Sequence, residues 1–207
     1  MKKVLSGLML AALLATSILF VNCSEDDSED YSINKKSAST TESESVLIAR
    51  CLKGSDAIEL SFDVDTVARQ TEREVESKLL KGIVVEEISI LDYEPGNIDN
   101  EGGIVFSVFV PSEGASYKMY APLRKYNDND GSILYVAAGD IKIDVLCKGV
   151  NCDGCELIIK KRKPVGCTKC RNAEGVCESN VNASYLWGQQ ALSILCDVIS
   201  VNVDKVF

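Results

Sequence analysis

Ile58, Leu60, Phe62 and Val64 alternate strictly with Glu59, Ser61 and Asp63, the two-residue period of a strand with one buried face. The period then lengthens. Val67, Thr71, Val75 and Leu79 recur every fourth residue, which predicts one inward stripe of a helix running to about Lys81. Asp65 or Thr66 is its expected cap, Glu74 and Lys78 pair one turn apart, and Gly82 is the stop. Residues 83–91, 104–110, 117–120, 133–137 and 141–146 read as strands. Turn-rich stretches separate them, namely Glu94-Pro95-Gly96-Asn97, Pro111-Ser112-Glu113-Gly114 and residues 127–131. Short connections favour hairpins, so residues 46–146 are expected to form an antiparallel sheet with one main helix on a face, an α+β fold. In the C-terminal segment Tyr185, Leu186, Leu192 and Leu195 could line a helix, whereas 198–203 alternates as a strand would.

The N-terminal pattern is of another kind. Met1-Lys2-Lys3 carries positive charge, residues 4–21 carry none, and five carboxylates fall among the seven residues 24–30. A positive start, an apolar run and an abrupt polar boundary make a secretory signal over residues 1–22. Residues 23–45 have few apolar side chains, cannot bury enough surface to offset chain entropy, and are expected to be a disordered acidic tether. At the boundary, Phe20-Val21-Asn22-Cys23 resembles the lipobox of bacterial lipoproteins. Ser24-Glu25-Asp26-Asp27 resembles the acidic export tag of Gram-negative outer-membrane lipoproteins. That resemblance implies lipidation of Cys23, a membrane partner through the lipid, and a place on the outer membrane facing the exterior.

Composition narrows the chemistry. The 207 residues carry 22 Lys and Arg against 31 Asp and Glu, a net charge of −9. So acidic a chain lacks the basic footprint that nucleic acid requires. It contains no histidine, which removes Ser-His-Asp and Cys-His nucleophile pairs and every imidazole-ligated metal site. The acids show no spacing that singles out a general acid–base pair.

Cysteine supplies the remaining candidates. Six of the nine lie between Cys147 and Cys177, at Cys147, Cys152, Cys155, Cys167, Cys170 and Cys177, with Cys51 and Cys196 far off. If lipid takes Cys23, eight remain, and an even number in an exported chain points to disulfides stapling residues 147–207. Eight cysteines allow 105 connectivities; the two outliers, Cys51 and Cys196, are expected to pair. The competing chemistry is a zinc or iron site of four thiolates from Cys152, Cys155, Cys167 and Cys170. Cys147, Cys152 and Cys155 also reproduce three ligand spacings of a plant-type iron–sulfur protein. Either C-x2-C pair could act as a redox dithiol. Lys160, Lys161, Arg162 and Lys163 form a basic run, a candidate contact for a polyanion or simply a solvated hairpin tip. The expectation is a surface-anchored lipoprotein with a binding or structural role, no cofactor and no catalysis, meeting an extracellular ligand or surface partner. The alternative is a thiol-redox or metal protein.

Overall fold

The computed structural model describes residues 45–180 and 182–203. The signal, Cys23 and the tether as far as residue 44 lie outside the described residues. Ten strands and two helices follow in the order β1 (Val46–Cys51), β2 (Ile58–Leu60), α1 (Val64–Leu79), β3 (Val84–Leu91), β4 (Gly102–Val110), β5 (Ala115–Asn127), β6 (Ile133–Ala137), β7 (Val145–Val150), β8 (Leu157–Lys160), β9 (Lys163–Cys167), β10 (Val176–Ser179) and α2 (Asn182–Val203). The class is α+β, and every strand pairing is antiparallel.

β5 organises the sheet. One edge pairs with β4 along its whole length, from Gly102 opposite Leu123 to Val110 opposite Ala115. The other edge is shared: residues 115–120 pair with β7 and residues 124–127 with β6. Pro122, with no N–H to give a ladder, falls between those two registers. The sheet therefore forks, into β7 and β10 on one arm and β6, β1 and β2 on the other.

Both faces of the sheet are covered. On the inner face Ile104, Phe106, Val108, Met119 and Leu146 pack with Val67 and Val75 of α1 and Leu192, Leu195 and Ile199 of α2, all fully buried. On the outer face Val105, Tyr120, Val145 and Cys147 make a smaller cluster against Leu157 and Cys167 of the β8–β9 hairpin. β4 buries side chains on both faces, which is why its sequence reads as a nearly continuous apolar run.

The structure revises several boundaries. The alternation ends at Leu60 because Asp63 is the helix cap, accepting from the Thr66 amide at 2.8 Å. α1 therefore begins at Val64, two residues before the expected start, and stops at Leu80, which takes the left-handed conformation ahead of Gly82. Its Glu74–Lys78 pair forms at 3.2 Å. The expected strand at 141–146 is displaced to Val145–Val150. Residues 141–143 are held instead by α2, through Gln189 to the Ile143 amide and the Ile141 carbonyl, and Tyr185 to the Ile143 carbonyl. The C-terminal ambiguity resolves as one helix. Ala191, Leu192, Leu195, Val198, Ile199 and Asn202 are buried while Val201 is 67% exposed, a helical period that crosses the apparent alternation of 198–203.

Candidate functional site

The cysteine-rich lobe is positioned by three cross-links. Cys147 of β7 joins Cys167 of β9, Cys152 joins Cys170, and Cys155 joins Cys177 of β10, with Cα atoms 5.5, 5.2 and 5.5 Å apart. Leu157, Ile158 and Ile159 are only half-buried, so the hairpin has little core of its own and is fastened covalently to the sheet. Gly149 on β7 makes the approach possible: a Cβ there would lie 2.9 Å from that of Cys155.

This pairing decides between the cysteine readings. Cys152 is bonded to neither Cys155 nor Cys167, and each of the six sulfurs already has a sulfur partner. As disulfides, Cys152, Cys155, Cys167 and Cys170 hold no thiolate for zinc or iron, and neither C-x2-C motif closes on itself as a redox dithiol would. Among the described residues no group of three or more carboxylate or cysteine side chains is gathered as a metal site.

The expected Cys51–Cys196 bridge does not form. Both thiols are free and buried. Cys51 turns to the Ser55 carbonyl at 3.1 Å, inside the turn that follows β1. Cys196 faces the core from α2, where burial and then Asp197 push its thiol up to about 12, leaving it protonated and unreactive. An even count misled because a buried cysteine also serves as a small apolar side chain.

A polar cavity of about 280 Å³ lies between the lobe and the sheet, lined by Glu86, Glu87, Ser107, Ser116, Lys118 and Glu156 among others. Lys118 of β5 spans it, 3.2 Å from Glu87 of β3 and 2.5 Å from Glu156 of the lobe. Burial alone would lower the Lys118 ammonium; its bonds to Glu156 and Glu87 outweigh this and raise it. It is a fixed cation joining two parts of the fold, unsuited to act as a base.

The basic run sits at the exposed tip of the β8–β9 hairpin. Arg162 pairs with Glu94 and Lys163 with Glu101, both on the acidic loop after β3. Two of its four charges are thus answered within the chain, while Lys160 and Lys161 are exposed. The 127–131 segment is a turn as expected. Arg50 of β1 binds Asp128 at 3.0 Å and Asp130 at 2.5 Å, and the Gly131 amide bonds the Asp128 carbonyl.

Two polar clusters had no signal in the sequence. In the first, Lys125 of β5 meets Asp92 at 2.5 Å, with both side chains almost wholly buried. The Lys125 ammonium also donates to the Asn97 carbonyl at 2.8 Å and lies 5.3 Å from the centre of the Tyr135 ring. The Tyr135 hydroxyl donates to Asp92 at 2.7 Å. Burial, followed by that bond, raises the Tyr135 phenol far above its ordinary range. The ammonium is caged by oxygens of the 92–97 loop.

In the second, Glu113 accepts from Lys81 and Tyr117, with Lys148 3.5 Å away. Tyr117 packs on Trp187 at 4.8 Å between ring centres, and Lys81 lies over the indole. Trp187 thus fills the core edge, although its indole N–H has no acceptor among the described residues. Burial would raise the Glu113 carboxyl; the bonds from Lys81 and Tyr117, then the Lys148 charge, hold it down at about 2. A carboxyl depressed in the folded state contributes stability above its ordinary value of 4.5 and loses it as pH falls towards 2. Glu113→Gln is expected to cost about 1–2 kcal/mol at neutral pH after solvent screening. Urea midpoints of the two proteins should converge on acidification; a gap that stays constant would assign the effect to shape alone.

None of these clusters sets a nucleophile beside a base in an open cavity. Each one ties elements together. Among the described residues no helix is long and apolar enough to cross a membrane. No family model, curated protein or solved structure matches the chain.

Proposed function

We propose that this protein is an exported lipoprotein, acylated at Cys23, that carries its disulfide-stapled domain on an acidic tether outside the cytoplasm and acts by binding or as a structural element. The observation that supports this most directly is the set of three disulfides. Such bonds persist in oxidising compartments and are rare where thiols are kept reduced. They agree with the signal pattern at residues 1–22, read from an unrelated part of the chain. The polar clusters favour a binding or structural role, because their charged groups are engaged with one another.

Cys23→Ala provides the test. In cells that export the wild-type chain, the variant is expected to lose incorporation of labelled fatty acid and to leave the membrane fraction or remain unprocessed. Wild-type labelling and fractionation by the variant would overturn the lipoprotein reading.

A further inference from the structure

The tip of the β8–β9 hairpin, a two-residue turn between Lys160 and Lys163, combines three features. Lys160, Lys161, Arg162 and Lys163 are consecutive, basic and exposed. Lys161 and Arg162 both take positive φ, 49° and 67°, a costly conformation for side-chain-bearing residues other than Asn or Asp. All three disulfides straddle the tip, since Cys147, Cys152 and Cys155 precede it and their partners Cys167, Cys170 and Cys177 follow it.

We propose that this tip is a processing site for an endoprotease specific for Lys and Arg, which converts the chain into a two-chain form held by three disulfides. The step is hydrolysis of one peptide bond. One water is consumed, the upstream residue gains a carboxylate and the downstream residue an ammonium. The bonds after Lys160, Lys161 and Arg162 are open to attack. The bond after Lys163 is not, because Pro164 follows and its ring occupies the position of the leaving amide N–H. A protease needs extended substrate, so the tip must open first. β8 and β9 pair only with each other, and an isolated two-stranded hairpin is marginal in water. Its opening breaks the Arg162–Glu94 and Lys163–Glu101 pairs, which are exposed, and leaves the main sheet intact. The downstream piece keeps β10 and α2, so the inner core loses no side chain on cleavage.

The site stands on the fold alone; only the encounter with a protease outside the cytoplasm rests on the lipoprotein reading. Purified full-length protein is therefore treated with a trace of trypsin and followed by intact mass with and without reductant. Cleavage between residues 160 and 163 is expected at least about tenfold faster than at any other Lys or Arg of residues 46–203. Whether or not the tether is also trimmed, the nicked domain should weigh one water more than the intact one, stay a single species until reduced, and then give two chains. Replacing Lys160, Lys161, Arg162 and Lys163 together with Gln should remove the fast cut without changing the urea midpoint. Survival of the tip after other sites of residues 46–203 are cut overturns the proposal, as does separation of the pieces without reductant. Protein from exporting cells is then examined in the same way. A two-chain form there supports processing; a single chain there, with a fast cut by trypsin, overturns processing in the cell and leaves the lipoprotein reading untouched.

Discussion

Asp92→Ala is expected to destabilise the domain by about 3–5 kcal/mol, because it strands a buried ammonium. The Lys125 side chain is 2% exposed and the Asp92 side chain 0%, so water has little access to replace the lost carboxylate. The same substitution also removes the nearer acceptor of the Tyr135 hydroxyl and the acceptor of the Glu94 amide. Against a typical total of about 5–15 kcal/mol, that loss leaves the fold marginal. The pair is costly to break and need not be costly to replace. Asp92→Ala combined with Lys125→Met is expected to recover most of the loss, since neither charge then remains in the interior. Urea unfolding of the two variants beside the unaltered protein is the measurement. A single-variant cost below about 1 kcal/mol, in the range of exposed pairs, would show that solvent reaches Lys125.

Opening the disulfides should have a similar effect but confined to one side of the molecule. The loops they close span 20, 18 and 22 residues, and each closure contributes about 3 kcal/mol in the chain-entropy model. Replacing Cys147 and Cys167 with Ala is expected to free the β8–β9 hairpin and expose Val105, Tyr120 and Val145. The inner core between sheet and helices should keep its protection against hydrogen exchange. Thiol counting on denatured, unreduced protein tests the pairing itself. Cys51 and Cys196 should react, and Cys23 should not if it carries lipid. Full oxidation of Cys51 and Cys196 would contradict the pairing, and four further thiols would contradict the stapled lobe.

Local periodicity carried the parts of the fold that were legible in the sequence. The stripe of Val67, Thr71 and Val75 and the strands β3, β4 and β6 each report burial through neighbours a few residues away. Where a partner distant in sequence decides, the pattern fell silent. Nothing near residues 141–144 announces that Gln189 will hold them out of the sheet, and the length of β5 follows from having three partners. Cysteine spacing announced a stapled lobe and left its connectivity open. The evenness of the count suggested a Cys51–Cys196 bridge that core packing does not make. The buried Asp92–Tyr135 contact links residues 43 apart, and no composition or spacing distinguishes Asp92 from the many exposed acids. Such a residue becomes visible only when its surroundings do.

α2 follows every described strand, yet it supplies Ala191, Leu192, Leu195 and Ile199, all with no exposed surface, to the inner core. Until residues 182–203 arrive, the inner face of the sheet has only α1 to cover it. A polypeptide threading through a membrane with its N-terminus leading would expose that apolar face for almost the whole passage. Its domain could close only when α2 had followed through. The same dependence works on the near side of the membrane. A chain still being synthesised cannot complete this core and lock itself into a globule before α2 has been made. The position of α2 after the strands would thus suit the exported chain proposed above, which must stay loose to pass a narrow channel.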